Sequence, residues 1–337
     1  MKTKPADTPY CGVRKSYIQN MAQPVIDDTT LLYLYQFIQR RYKIHIRKDI
    51  AKKDPPWTKD RILQQYRFTN IRREHDKESK WVIKHITSNP ELSYEDKLLN
   101  VILFRLYNKH ETAELISMPF KFSETPDWNP EWYRSLFEVA MVEDPKRVFF
   151  TAAFHTVGMK NALKNVTGES YAPMRILKFI KILINDGLVD DIKACTNQQE
   201  VYQTLTDYNG IGRFLAYQFY VDMTYIAEFP FSENEFTVAG PGCRHGLDML
   251  FLRKDGMTYE ECLFWLRDNL DDLFINRLKK PWNPQELFSD LPEEDRYMNV
   301  MSLENCFCEL FKYIKAKTGT GRPRKKYIPR RNKYEKS

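Results

Sequence analysis

In Leu205-Thr-Asp-Tyr208-Asn-Gly210-Ile-Gly212-Arg213-Phe-Leu-Ala-Tyr-Gln-Phe-Tyr-Val-Asp222, two helical patterns meet with only Gly-Ile-Gly between them. Glycine accepts positive φ without steric cost, so the turn can be tight. The amides of such a turn, and the first N–H groups of the helix beyond it, have no intrahelical partner and point outward. That geometry suits a phosphate, with Arg213 adding charge and Gly210 and Gly212 supplying backbone donors. An ordinary turn between two helices is the alternative.

The rest of the chain repeats the helical period. Leu31, Leu32, Leu34, Tyr35 and Ile38 form one apolar stripe. Ser93-Tyr-Glu-Asp96 offers a capped start for a helix through Tyr107, and Pro130 opens another that carries Leu136, Phe137 and Ala140. Ile176, Leu177, Ile180 and Leu183 predict a helix over 174–184 that Gly187 ends. Thr258-Tyr-Glu-Glu261 is a capping box for a helix through Phe274, and a last helix is predicted over 298–316. Period-2 alternation of Val, Ile and Thr is scarce, so the fold class is mostly α. Breaks fall at Asp54-Pro-Pro-Trp57, between Pro119 and Pro130, between Phe229 and Pro241, and at Pro281-Trp-Asn-Pro284.

With 337 residues, the length suits two domains or one large one, at roughly 150 residues each. The formal charge is +7, and residues 318–337 alone carry eight basic groups against one acid. Residues 1–317 are therefore neutral on balance, with a basic strip at Arg40–Lys84 of fifteen Lys/Arg against six Asp/Glu. The expected plan is an N-terminal extension over 1–29, a helical region over 30–317 with its hairpin at 205–225 and room for two subdomains, and a basic flexible tail over 318–337. No apolar run reaches the ~20 residues of a bilayer span, and the N-terminus lacks the apolar stretch of a secretory signal. The six cysteines are scattered, and Cys306-Phe-Cys308 lacks a second ligand pair. A cytoplasmic protein with reduced thiols, no membrane attachment, no metal and no cofactor is expected.

Leu-x-x-Tyr-x-Gly-Ile-Gly-Arg-Phe-Leu-Ala resembles the helix-hairpin-helix of base-excision DNA glycosylases. That resemblance implies an all-α fold that turns a base out of the duplex into a pocket. The catalytic Asp that such enzymes carry some two dozen residues later is missing here. Phe236-Thr-Val-Ala-Gly240-Pro-Gly242-Cys-Arg-His-Gly246 stands in its place. No hairpin Lys is present, which removes a Schiff-base mechanism. A wider resemblance rests on Tyr66-Arg-Phe-Thr-Asn-Ile-Arg-Arg-Glu-His-Asp76, Phe104-Arg-Leu-Tyr-Asn108, Ala239-Gly-Pro-Gly242 and Leu303-Glu-Asn-Cys-Phe-Cys-Glu309. Together they are similar to a divergent branch of that superfamily, the alpha-glutamyl/putrescinyl-thymine pyrophosphorylases, related to the helical domain of hydroxymethyluracil DNA kinases. The likeness runs from about residue 30 to 328. It implies action on a modified pyrimidine in DNA. The activity is either excision, as in an anti-phage glycosylase, or replacement of pyrophosphate on a 5-substituted uracil.

Such chemistry needs an anion near the sugar and donors or acceptors for the base edge. Asp222, leaving the hairpin, is the first catalytic candidate, with a merely helical Asp as the bland reading. Glu304 and Glu309 of the last helix follow, either as pocket acids or as packed residues, and Glu233 and Glu235 are alternatives in the preceding loop. Asn70, Arg67, Arg72, Arg105, Asn108, Gly240 and His245 are substrate-binding candidates; Arg105 and Asn108 could equally brace the fold. Arg73, Arg213, Gly210, Gly212, Arg322, Arg324, Lys325 and Lys326 are DNA-binding candidates. His155 is isolated. No zinc-deaminase signature and no Gly-x-x-x-x-Gly-Lys-Ser/Thr loop occurs, so a self-contained nucleotide-driven kinase is not expected. The partner expected is DNA, double-stranded and modified, and the favoured activity is excision of a hypermodified pyrimidine. Transfer onto the 5-methylene, or non-catalytic reading of modified DNA, are the rivals.

Overall fold

The computed structural model describes residues 23–151, 157–321, 323, 326 and 327. Strand β1 (Val25–Ile26) leads into α1 (Asp28–His45) and α2 (Arg61–Gln65). There follow α3 (Lys77–Val82), α4 (Tyr94–Tyr107), α5 (His110–Leu115), α6 (Arg134–Glu143), α7 (Val157–Thr167), α8 (Ala172–Asn185) and α9 (Leu188–Lys193). Helices α10 (Gln198–Asp207) and α11 (Arg213–Met223) flank the Gly-Ile-Gly turn. The chain then runs through α12 (Pro241–Leu250), β2 (Phe251–Arg253), α13 (Tyr259–Asp272), α14 (Pro284–Leu287) and α15 (Val300–Thr318). The mostly α expectation holds; the one sheet among the described residues is the antiparallel β1–β2 pair, which the sequence did not announce.

The local start and stop signals act as read. Ser93 Oγ accepts from the Asp96 amide, and both halves of the Thr258–Glu261 capping box form. Helix α8 runs Ala172–Asn185, with Gly187 beyond it at φ +77°. Two boundaries shift for physical reasons. Asn299 rather than Met298 opens the last helix, because its side chain accepts from the Ser302 amide. The helix expected through Phe274 ends as a regular α-helix at Asp272 and continues as one wider turn, Leu273–Arg277.

The described residues fall into two compact units. One spans residues 77–235 and holds α3 to α11. Its core helix is α4, where every residue from Asp96 to Tyr107 is buried. A helix buried all round must pair its polar groups internally. Accordingly Asn100 donates to the Asp96 and Phe120 carbonyls, and Asp96 accepts from the Ser123 amide and hydroxyl.

The other unit joins residues up to 76 with those from 236 onward. Helices α1, α12, α13 and α15 share its core, among them Leu31, Leu34, Phe37, Cys243, Leu247, Leu263, Leu303, Phe307 and Leu310. Helix α12 packs closely on α15 because glycines face it. A Cβ on Gly246 would lie 2.5 Å from the Phe307 carbonyl oxygen, and one on Gly242 would lie 2.6 Å from Cys308 Sγ. Near the C-terminus, Lys326 bridges Tyr66, and the Tyr327 amide donates to the Gln65 carbonyl at 2.7 Å.

Candidate functional site

The candidate residues divide between the two units. In the 77–235 unit, the Gly-Ile-Gly turn is built as its glycines require. Gly210 has φ +103°, and a Cβ there would sit 2.9 Å from the Phe179 ring and 3.0 Å from Leu163. Gly212 is different: it has ordinary φ, open space around it, and serves as the N-cap of α11. Gly212, Arg213 and Phe214 are exposed together, so the N-terminus of α11 presents its amides beside a cation and an aromatic ring.

In the same unit, Asp222 is fully buried and its carboxylate accepts from Arg105 Nε. Arg105 Nη1 also donates to Asn108 Oδ1 at 2.6 Å, and Asn108 Nδ2 donates to Thr151 Oγ1. Asn108 ends α4 in the left-handed conformation, φ 48°, which Asn tolerates. Asp222, Arg105 and Asn108 thus come together as one buried network linking α4 to α11. Glu235 accepts from Gln198 Nε2 at 2.6 Å on the surface, and Glu233 is half-buried. His155 lies outside the described residues.

The second group lies in the other unit, around α15. Glu304 Oε1 accepts from the Gly240 amide at 3.1 Å, and a Cβ on residue 240 would lie 3.3 Å from the same oxygen. Glycine there lets the carboxylate reach the amide of the residue that caps α12. One residue earlier, Glu260 Oε1 accepts from the Ala239 amide at 2.9 Å. Burial pushes the Glu304 carboxyl up to about 7, against the pull of the Gly240 amide and of the Arg73 charge. Burial also raises Glu309, whose Oε1 pairs with Lys312 and whose Oε2 takes the Thr69 amide at 3.4 Å.

Asn305, next to Glu304, donates to the Asn70 carbonyl at 3.0 Å and accepts from Thr69 Oγ1 at 3.2 Å, so α15 holds the Thr69–Asn70 turn. Asp76 Oδ1 accepts from both the Asn70 amide, at 3.0 Å, and Asn70 Nδ2, at 2.8 Å. That shared acceptor fixes the amide orientation. It leaves Asn70 Oδ1 buried without a hydrogen-bond partner. Burial raises the Asp76 carboxyl as well, with Arg41 and Arg73 opposing.

The other candidates of this unit have different settings. Arg72 is buried, bonded to Glu74 at 2.6 Å and to the Tyr297 carbonyl at 3.0 Å, and fastens the turn before α15. Arg67 and Lys326 are exposed. His245 is exposed and meets the Phe311 ring edge-on at 5.0 Å. Arg322, Arg324 and Lys325 lie outside the described residues. Sequence reasoning missed Asp76, Arg41, Glu260 and Lys312. Asp76 closes the quoted 66–76 motif and could have been weighed; Glu260 sits in a capping box, which masks any second role.

Residues 28–322 match the family described as 5-hmdU DNA kinase, helical domain. The chain belongs to this family. The 5-hmdU DNA kinase of Bacillus phage SP10 is 25% identical over 297 residues, which is 84% of this chain and 44% of that kinase. The chain therefore spans less than half the length of this curated relative. No solved structure matches the chain. The span matched to the helical-domain family takes in every candidate from Arg67 to Glu309 and ends at the start of the basic tail.

Proposed function

We propose that the chain is an enzyme acting on a 5-substituted pyrimidine turned out of DNA, and that it cleaves the N-glycosidic bond of that nucleotide. The observation that carries this reading is the Glu304 carboxyl, raised to about 7 beside the Gly240 amide. A group poised there exchanges protons with water or a leaving base at neutral pH, which general acid–base catalysis requires. Glu304 either activates water toward the sugar carbon or protonates the departing pyrimidine.

Asn70 supports the choice of base. Its unpartnered Oδ1 is an acceptor, so it calls for a ligand with an N–H donor. A uracil N3–H or a cytosine exocyclic amine supplies one. The exposed amides of α11 with Arg213, and the basic strip at Arg40–Lys84, suit the phosphate backbone. In this reading Asp222 acts as a brace held by Arg105 rather than as the catalytic acid.

The family favours a second reading. Its kinases are named for 5-hydroxymethyluracil, and chemistry at the 5-methylene would leave the glycosidic bond intact. Transfer of an amine or amino acid with loss of pyrophosphate would use the same raised carboxyl to deprotonate the nucleophile. One assay separates these readings. DNA bearing 5-hydroxymethylpyrimidines, bare, glycosylated or pyrophosphorylated, is incubated with the chain, then treated with alkali and analysed by nucleoside mass spectrometry. Alkali-labile abasic sites are expected. A base-mass gain dependent on amine and pyrophosphorylated DNA would replace excision by transfer, and binding with neither product would make the protein a reader.

A further inference from the structure

We propose that His45, His75 and Asp290 form a binding site for a divalent transition-metal ion, zinc by preference, that fastens the 66–76 motif to its own unit. Three donor atoms converge. Asp290 Oδ2 lies 3.0 Å from His45 Nε2 and 3.6 Å from His75 Nε2, and all three atoms fall within 4.8 Å of one another. Zinc bonds of about 2.0–2.2 Å in a tetrahedron place neighbouring ligand atoms about 3.3–3.5 Å apart. The two separations to Asp290 bracket that spacing.

The surroundings resemble a built outer shell. His45 Nδ1 faces Asp49 Oδ2 at 3.0 Å, which orients the ring and leaves Nε2 turned toward Asp290. The Tyr42 hydroxyl donates to Asp290 Oδ1 at 2.6 Å, which holds the carboxylate so that Oδ2 faces the histidines. Ligating histidines characteristically have such a partner on the other ring nitrogen. The two imidazoles stack at 3.9 Å and 14°, so the rings must turn apart for both Nε2 lone pairs to point at one ion. Two nitrogens and one oxygen are a donor set for zinc, iron or cobalt rather than for magnesium or calcium.

Burial decides the role. His45 and His75 are 2% and 9% exposed, too closed for a substrate to reach a bound ion. The site is structural: it ties the end of α1, the turn at His75 and the loop at Asp290. His75 stands one residue before Asp76, which holds Asn70.

The full chain, stripped of metal, is titrated with Co²⁺ and then Zn²⁺. One equivalent of Co²⁺ giving a visible tetrahedral d–d band, displaced by Zn²⁺, is expected. Saturating Zn²⁺ should raise Tm by on the order of 5 °C or more. His75→Gln should lose both effects, while His110→Gln should keep them; His110 belongs to the second group of possible ligands, Glu78, His110 and Glu111. No band and no Tm shift in the unaltered chain, or both retained in folded His75→Gln, would overturn the proposal. If His75→Gln does not fold, C2-hydrogen exchange of each histidine in the unaltered chain decides. Zn²⁺ must slow His45 and His75; slowing only His110, or none, sinks the site.

Discussion

A carboxylate at a helix N-terminus gains about 0.3–1 kcal/mol from the macrodipole. Glu304 stands at that position on α12, yet its carboxyl rises from 4.5 to about 7, so desolvation outweighs the amide and the Arg73 charge together. The rise corresponds to a cost on the order of 3 kcal/mol for holding the charged form. Between pH 4.5 and 7 the folded state binds more protons than the unfolded, so the stability linked to this group is full below 4.5 and is lost as pH rises through 7. Glu304→Gln should therefore be more stable than the unaltered chain at pH 8 and lose that advantage below pH 4.5, as read by urea melts. The same variant should lower single-turnover rate about 10²–10⁴-fold while keeping DNA affinity, and the rate of the unaltered chain should rise with pH to a plateau above 7 if Glu304 is the base. Asp222 calls for a different outcome. Its ion pair with Arg105 is buried, and breaking a buried pair by removing one charge costs about 3–5 kcal/mol. Asp222→Ala should lower Tm sharply, and the paired change Arg105→Met with Asp222→Leu should recover most of it. A stable Asp222→Ala with no turnover would return Asp222 to the chemistry. The settings of the two acids were only half legible in the sequence: residue type marked Glu304 and Asp222 alike as acids, and only burial and partner separate them.

Elements were read more securely where the signal is local. The Ser93 cap, the Thr258 box and Gly187 lie within a few residues of what they control, so one window of sequence contains each cause. The Glu304–Gly240 contact spans 64 residues and the His45–Asp290 contact spans 245, and no local pattern encodes either. The quoted Gly210-Ile-Gly212 shows the limit of the glycine signal, because its two glycines serve different ends. Gly210 needs its positive φ and has side chains against it, so Gly210→Ala should cost stability of about 1–3 kcal/mol, seen in thermal melts. Gly212 has ordinary φ and free space, so Gly212→Val should fold normally and weaken duplex DNA binding several-fold in fluorescence anisotropy. Unchanged affinity in that folded variant would reduce the turn to a connector. Gly246 carries a third meaning: its missing Cβ admits the Phe307 carbonyl, so Gly246→Ala would push α12 off α15 and with it the Gly240 amide off Glu304.

At the scale of the whole chain, the basic charge is divided between the Arg40–Lys84 strip, which carries the Asn70 motif, and the residues after Lys317. Those two segments meet where Lys326 and Tyr327 pair with Tyr66 and Gln65 and the Tyr327 ring meets Trp57 edge-on. The tail is therefore two things to a truncation experiment. Ending the chain after Tyr327 removes Arg330, Arg331, Lys333 and Lys336 with Glu335, and spares the pairing. Ending it after Lys317 removes the pairing as well, one strand-turn away from Asn70. Each phosphate contact adds about 0.9 to the slope of log K against log salt on duplex DNA. The shorter deletion should flatten that slope by up to about 3–4, leave Tm unchanged, and leave the ratio of binding to modified over unmodified DNA intact. The longer deletion should also lower Tm and turnover, because the backbone leading to the Asn70 turn loses a neighbour. If the shorter deletion alone changed the preference for the modified base, the terminal basic residues would have to contact the base itself, and the strip would no longer account for selectivity.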